Sequence, residues 1–430
     1  MLSLRYIVRL IQAFFKRFKA IIIVGIFFGI LVFLALVFLF PSLNASSLRV
    51  GVTGRFLADQ LPDNITTMIS EGLTVVDENG NVGPGLAKSW ESTDGGKTWI
   101  FKLDEGKEWQ DGKKVVSKDI TYEFTDAQIE KIDDSTIKFN LNSQFSAFPI
   151  IVSKPVFKKG LLGTRDWKVK KISLTAGYVQ KLTIVNLKKD KVTFKFYPSD
   201  ERLKLGFKLG EIDVIDKLQD IEEFKDWKIV DIKPSVSLNN FVAIFLNTEN
   251  EKLSEKSIRL ALNYAIDKNR EIEERAISPI SFNSWAFNSQ VKPYNRDMEK
   301  TKELKDFKIK LSTLPNLLKT AETVAKQWTE AGATVEVEVV TGIPEQYDAF
   351  LATVDIPKDP DQYSLWHSTQ TTTNISRYKN PRIDKLLEDG RTELDQEARK
   401  KSYFDFQRFL VEDSPAIFLY HPTFYTITRK

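Results

Sequence analysis

The feature of this chain that most constrains its fold is an uncharged apolar run close to the N-terminus, residues 21–40. At the rise of an α-helix this run is roughly 30 Å long, which matches the hydrocarbon core of a bilayer. Five basic residues precede the run, namely Arg5, Arg9, Lys16, Arg17 and Lys19, and none directly follows it. The positive-inside rule therefore predicts one transmembrane helix, with a cytoplasmic N-terminus and the remaining chain outside the cell membrane.

A cleaved signal peptide is the alternative interpretation of the same run. Signal peptides have an apolar region of only about 7–15 residues, and residues 43–45 (Leu-Asn-Ala) are a poor match to a small-residue cleavage site. We therefore expect residues 1–20 to be a basic cytoplasmic stub, residues 21–40 to be an uncleaved signal anchor, and residues 41–47 to be a tether.

Composition limits the chemistry of the rest of the chain. The absence of cysteine excludes disulfides, thiolate metal sites and thiol catalysis. The two histidines, His367 and His421, lie too far apart for a helical metal motif. Residues 1–47 contain five of the 62 basic residues and none of the 58 acidic residues, so the remaining chain is close to neutral. We therefore expect no metal site, no cofactor and no nucleic-acid partner.

Hydropathy patterns predict a mixed α/β ectodomain. Alternation of polar and apolar residues predicts strands over residues 48–53, 99–103, 135–141 and 191–197. Apolar residues at helical spacing predict helices over residues 258–266, 320–331, 382–389 and 396–411. Asp395 is the expected cap of the last helix, and Ser117 the expected cap of a short helix over residues 119–124. Helices that alternate with strands in the second half favour an α/β lobe.

Several segments, taken in order, carry a resemblance to a known family. They are EGL (71–73), GPGLAKSWE (83–91), DGGKTWIFKL (94–103), EG (105–106), DGK (111–113), IRLALNYAID (258–267), DPDQYSLWHS (359–368) and YKNPRIDKLL (378–387). With these segments the ectodomain resembles the family 5 extracellular solute-binding proteins, the peptide- and nickel-binding receptors of ABC importers.

The resemblance implies a two-lobed clamp of the periplasmic-binding-protein type, with a side domain on the first lobe. Lobe 1 would contain residues 48–64, 159–236 and 415–430, and its side domain residues 65–158. Lobe 2 would contain residues 237–414, and the strand over residues 241–247 would form part of the hinge. The ligand would bind between the lobes, where clefts are commonly found.

The resemblance also implies candidate ligand contacts. In the peptide receptors of this family, an acidic residue in or just before the Asp-Pro segment pairs with the peptide ammonium group, which makes Asp355, Asp359 and Asp361 candidates. The segment is one residue longer than the usual pattern, and Asp and Pro are also simply turn formers.

Aromatic and amide side chains supply three further candidates. Trp366 would stack on the ligand or pack in the core. Tyr363 would pack against the ligand, and Asn247 would make a polar contact at the hinge.

The function implied is capture of a ligand, most directly a peptide, and delivery to an ABC permease by a membrane-anchored, monomeric, non-enzymatic receptor. A nickel ligand is disfavoured, because His367 is more typical of a structural histidine. One alternative is a sensing or scaffolding ectodomain without a transporter. The other is a membrane-anchored hydrolase, for which the chain has no GxSxG, HExxH or GxxxxGK[ST] motif.

Overall fold

The computed structural model describes residues 16–21, 24–33, 46–270 and 273–430. Residues 16–21 and 24–33 are helical, and within the described ranges no helix is both long and apolar enough to cross a membrane. The expected anchor over residues 21–40 lies partly outside the described residues, as do most of the expected stub and tether.

The strands follow in chain order. They are β1 (Ser47–Thr53), β2 (Thr74–Val76), β3 (Val82–Pro84), β4 (Ala87–Glu91), β5 (Thr98–Leu103), β6 (Ala127–Lys131), β7 (Thr136–Leu141), β8 (Lys168–Thr175), β9 (Tyr178–Val185), β10 (Lys191–Tyr197), β11 (Val214–Leu218), β12 (Val230–Val236), β13 (Asn240–Leu246), β14 (Glu274–Arg275), β15 (Lys308–Thr313), β16 (Thr334–Val339), β17 (Ala349–Asp355), β18 (Ala416–His421) and β19 (Thr423–Arg429).

The helices lie mainly in the second half of the chain. They are α1 (Asp63–Ile69), α2 (Phe148–Ile151), α3 (Asp200–Lys208), α4 (Glu251–Ser254), α5 (Lys256–Tyr264), α6 (Leu318–Glu330), α7 (Tyr363–Trp366), α8 (Pro381–Thr392) and α9 (Gln396–Asp413). Short 3₁₀ turns cover Ser117–Asp119, Glu222–Phe224, Met298–Lys300, Lys302–Leu304 and Pro315–Leu317.

Two large sheets organise the molecule. One has seven strands in the order β12-β19-β11-β1-β10-β9-β8, and the other has six in the order β14-β18-β13-β17-β15-β16. Alternate residues of β13 enter two different cores, with Phe241 and Phe245 on one face and Val242 and Ile244 on the other. Because both faces of this strand are buried, its sequence is a continuous apolar run rather than an alternating one.

A smaller sheet has four strands in the order β4-β5-β7-β6. In the sequence, these strands come after β1 and before the other strands of the seven-stranded sheet. The turn over residues 94–97 joins β4 to β5, and the aromatic rings of Phe101 and Phe139 pack edge to face at 5.5 Å in its core. The strands predicted over residues 99–103 and 135–141 are confirmed.

The helix predicted over residues 119–124 is wrong. The 3₁₀ turn Ser117–Asp119 ends the helical geometry, and residues 120–124 have no regular structure. Both Tyr122 and Phe124 direct their rings at Phe139, with centroids 6.3 and 6.1 Å away. Burial of both rings against the same neighbour outweighs the weak local preference for a helix.

The second-half helices agree with the prediction. Helix α9 begins at Gln396, and the Asp395 side chain accepts a hydrogen bond from the Ala398 amide, as expected of an N-cap. Its buried stripe includes Tyr403, Phe406 and Leu410.

Two short connectors carry the chain between the large sheets. Residues 237–239 join β12 to β13, and Pro422 joins β18 to β19. The Ser237 amide donates to the Pro422 carbonyl at 2.8 Å, so the connectors lie side by side. Such short segments can take up the backbone rotation of a hinge. Strand β18 pairs within the six-stranded sheet, although the resemblance assigned residues 415–430 to lobe 1.

Candidate ligand-binding cleft

A cleft of about 600 Å³ lies between the two large sheets, beside the connectors. Its volume is within the range of ligand pockets, roughly 300–1,000 Å³. Its walls come from the β2–β3 turn, the end of β11, the first connector, β19, and two loops next to the six-stranded sheet. The lining includes residues 76–80, 216–217, 235–239, 283–284 and 356–358, with Ile280, Ser281, Pro360, Phe424 and Thr426.

The β2–β3 turn reaches across the cleft and contacts the far wall. The Asn283 side chain donates to the Glu78 carbonyl, and the Trp285 amide donates to the Asn79 carbonyl at 3.2 Å. A Cβ atom on Gly80 would lie 2.9 Å from the Lys358 carbonyl oxygen, and Gly80 has a φ of +84°, so the turn requires glycine here. The two sides of the cleft are thus in contact.

The carboxylate of Asp77 is hydrogen-bonded within the β2–β3 turn. It accepts hydrogen bonds from the amides of Asn79 and Asn81 and from the Asn81 side chain. Hydrogen bonds from Asn81, ahead of the others, hold the pKa of Asp77 below its ordinary value. This side chain therefore shapes the turn and has few free acceptor sites.

Strand β11 has a bulge at the edge of the cleft. Its register with β19 shifts between Ile215 and Leu218, and Lys217 has a φ of +57°. A bulge breaks the alternation of side chains and re-aims them, and here both Asp216 and Lys217 line the cleft. Burial raises the pKa of the half-buried Asp216, an effect that the Lys217 charge opposes. Within the described ranges, the Asp216 side chain has no hydrogen bond and no ion pair.

Asp359, one of the predicted contacts, is buried in an ion pair. It is 5% exposed, and its Oδ1 accepts from Arg399 Nη2 at 2.6 Å and from the Asp361 amide at 2.9 Å. The same guanidinium donates to the carbonyl of Gly390 at 2.8 Å. Asp359 Oδ2 has no hydrogen-bond partner among the described residues, but the charge is already balanced by Arg399.

A second cavity, of about 480 Å³, adjoins this ion pair. Asp359 and Arg399 lie in its wall together with three tryptophans, Trp90, Trp99 and Trp285. The Arg399 guanidinium lies 5.4 Å from the centre of the Trp285 ring. Asp359 thus faces this side cavity and not the main cleft.

Asp361 and Tyr363 form one local arrangement with Arg391. Asp361 Oδ1 accepts from the Tyr363 amide at 3.0 Å, and Oδ2 lies 3.5 Å from Arg391 Nε. Burial raises the pKa of Asp361, against the opposing effect of Arg391. The Tyr363 ring stacks on His367 at 4.0 Å, and neither Asp361 nor Tyr363 lines the main cleft.

Trp366 and Asn247 are buried and do not line the main cleft. Trp366 is fully buried and packs against Phe245 and Phe418, with ring centroids 5.8 and 6.1 Å away. Asn247 is buried, and its side-chain amide donates to the Tyr347 carbonyl at 2.9 Å. Asn247 follows the end of β13 that is remote from the connector, so it does not lie at the crossing between the sheets.

Asp355 directly precedes a run of cleft-lining residues. It is exposed at the end of β17 and accepts a hydrogen bond from the Asn240 side chain. The next residues, 356–358, line the cleft, whereas Asp355 itself does not. The structure therefore brings the predicted segment to the cleft wall but aims its carboxylates elsewhere.

Sequence reasoning missed Asp216 and Ser281. Ser281 is 3% exposed, lines the cleft, and its hydroxyl has no partner among the described residues. No local sequence signal marks either residue, because the bulge at Asp216 depends on pairing with β19, and Ser281 lies in a loop. For the described residues, no group of three or more His, Cys, Asp or Glu side chains could hold a metal ion.

Two sheets joined by paired connectors around a cleft give the chain a two-lobed architecture that can enclose a solute. A family model described as "Bacterial extracellular solute-binding proteins, family 5 Middle" matches residues 81–181 and 178–375, more than half of the chain. The chain belongs to this family, which confirms the resemblance seen in the sequence.

Individual relatives cover nearly the whole chain. The oligopeptide-binding protein AppA of Bacillus subtilis is 24% identical over 85% of this chain and 83% of its own. The substrate-binding protein CtaP of Listeria monocytogenes superposes with a TM-score of 0.74 at 21% identity, covering 90% of this chain and 94% of that chain. NikZ of Campylobacter jejuni, solved with Ni(L-His), has a TM-score of 0.68 at 22% identity, with 89% and 94% covered. At these identities the solved structures show a shared fold.

Proposed function

We propose that this protein captures a peptide in the cleft between its two sheets and delivers it unchanged to an ABC permease. The observation that carries the proposal is the cleft of about 600 Å³ beside the two connectors. The name "oligopeptide-binding" of a relative that aligns over most of both chains supports the peptide class. Another ligand class among the relatives is a nickel–histidine chelate, as in NikZ.

Capture would work by closure about the connectors. Rotation at residues 237–239 and Pro422 would part the β2–β3 turn from the opposite wall and admit the ligand. Closure would restore the Asn283 and Trp285 hydrogen bonds to that turn and exclude water from the cleft. Extended peptides bind largely through main-chain hydrogen bonds, which give affinity with limited side-chain selectivity.

Membrane anchoring is the second part of the proposal. The apolar residues 21–40 would hold the receptor at the outer face of the cell membrane, with the basic residues before them in the cytoplasm. The lobes would be divided as the resemblance implies, except that residues 415–421 would belong to lobe 2, because β18 pairs within the six-stranded sheet. The crossings between the lobes would then be the two connectors. The family consists of binding proteins, so we expect no turnover of the ligand.

Native mass spectrometry of the full-length chain in detergent, mixed with a pool of synthetic peptides, tests this function. We expect at least one peptide to be retained by the wild type and lost from the variant Asn239→Trp, which would place a bulky ring in the cleft. Leu187→Trp is the matched control, because Leu187 is 74% exposed in the β9–β10 turn, away from the cleft. Failure of every peptide to bind the wild type would refute the peptide claim.

A further inference from the structure

The charged groups of the cleft differ in how far they are already satisfied. Asp77 is hydrogen-bonded within its own turn. The Lys358 ammonium group pairs with Asp63 at 3.0 Å. Glu78 and Lys217 are exposed to solvent. Asp216 alone among these groups is partly buried while its carboxylate lacks a partner within the described ranges.

An unpaired carboxylate in a closing cleft carries a free-energy cost. As the cleft closes over a ligand and water leaves, a charge without a partner loses hydration that nothing replaces. The adjacent Lys217 charge offsets only part of this cost, since it favours the charged form of Asp216 but the described ion pairs include none between the two side chains. A ligand that brings a cation to Asp216 would remove it.

The opposite wall supplies a second unsatisfied group. Ser281 is 3% exposed, and its hydroxyl has no hydrogen-bond partner in the described structure. Asp216 lies on β11 of the seven-stranded sheet, whereas Ser281 lies in a loop beside the six-stranded sheet. A ligand with a cationic end and a neighbouring polar group could satisfy both walls at once, which would favour the closed state.

We propose that Asp216 binds the ammonium group of the ligand. This inference rests on the proposed function, and it identifies the amino terminus of the peptide as the group that the cleft recognises. The carboxylates of the Asp-Pro-Asp segment, in contrast, stabilise the opposite wall, because Asp359 pairs with Arg399 and Asp361 lies against Arg391. The hydroxyl of Ser281, on the opposite wall, binds a polar atom of the first residues of the peptide.

The test compares one peptide in two forms on two proteins. The peptide retained most strongly from the synthetic pool is made with a free amino terminus and with an acetylated one. Calorimetry then measures the affinity of both forms for the full-length wild type and for Asp216→Asn. For the wild type, we expect acetylation to weaken binding by about 30-fold or more. For Asp216→Asn, we expect both forms to bind equally and weakly.

Two outcomes overturn the inference alone. One is a wild type that binds the acetylated and free forms equally. The other is an Asp216→Asn variant that still loses affinity on acetylation, which would place the ammonium site elsewhere. If no peptide binds the wild type, the proposed function fails and this inference fails with it.

Stability measurements protect the test from a folding artefact. Asn has the shape of Asp without its charge, so Asp216→Asn should unfold at the same temperature as the ligand-free wild type or higher. The comparison of free and acetylated peptide on the wild type involves no variant, so a folding defect cannot affect it. A variant that unfolds much earlier than the wild type would show that Asp216 has a structural partner, and would overturn the inference.

Discussion

The Asp-Pro-Asp segment and the β11 bulge both place carboxylates near the cleft, yet they use them differently. In the first region, Asp359 is neutralised by Arg399 and Asp361 lies against Arg391. In the second, Asp216 lines the cleft and pairs with no other described side chain. The difference teaches that a family segment can mark the position of a binding wall while its charges are used for folding. The half-buried carboxylate of Asp216 is left without a hydrogen bond or ion pair among the described residues, which is the basis for proposing it as the ligand anchor.

The largest expected effect comes from breaking the Asp359–Arg399 ion pair of the Asp-Pro-Asp segment. Arg399→Met would leave a 5% exposed carboxylate, Asp359, without its counter-ion. Loss of one partner of a buried pair typically costs about 3–5 kcal/mol of unfolding free energy. Denaturant unfolding of the variant measures this cost.

A matched control lies on the same helix. Arg408 pairs with Asp405 at 2.7 Å, but both side chains are about half exposed. Arg408→Met should therefore cost about 0–1 kcal/mol. Equal losses for the two arginine variants would show that the Asp359 pair is not structural.

An intermediate effect is expected for Trp366→Phe. The smaller ring leaves a cavity in a fully buried site, which should cost about 1–2 kcal/mol of unfolding free energy. The indole Nε1 has no acceptor among the described residues, so no hydrogen bond is lost. Peptide affinity should stay unchanged in the folded variant, as calorimetry can check. A loss of affinity without a loss of stability would restore the stacking role that the sequence left open.

The stability that Asp361 contributes should decrease as the pH rises, which is opposite to the usual behaviour of an ion-paired carboxylate. Burial raises the folded-state pKa of Asp361, so the folded protein holds this proton more tightly than the unfolded chain. Wild type should therefore be most stable relative to Asp361→Asn at acid pH. That advantage should fall as the pH rises from about 4 through the raised pKa. A difference between the two proteins that grows with pH, in unfolding followed across this range, would contradict the assignment.

The smallest effect is expected for Asp355→Asn. Asp355 is exposed and outside the cleft lining, and Asn can replace its acceptor atom for the Asn240 side chain. Peptide affinity measured by calorimetry should stay within about threefold of the wild type. A loss as large as that of Asp216→Asn would return the ammonium anchor to the segment favoured by the sequence.

The sequence predicted the elements that depend on local patterns. Strand β10 and the cap at Asp395 follow from alternation and from capping chemistry, and both are confirmed. The helix over residues 119–124 failed because burial of Tyr122 and Phe124 against Phe139 is a tertiary effect. The resemblance gave the family and the clamp, because its segments are spread along the whole ectodomain.

The site was harder to predict, for a physical reason. The bulge that aims Asp216 into the cleft exists only when β11 pairs with β19, which lies at the far end of the chain. Likewise, the role of Asp359 is decided by Arg399 on α9, outside its own segment. Pairings between distant residues leave no local pattern, so sequence alone selected the visible acidic segment and passed over the unpaired acid.

A crystal structure of the protein with a bound peptide would test the central claim most directly. The account predicts a peptide between the two sheets, with its amino nitrogen about 3 Å from the Asp216 carboxylate and the Asp359–Arg399 pair intact. An amino group bound at Asp355, or a peptide bound outside the cleft, would contradict it.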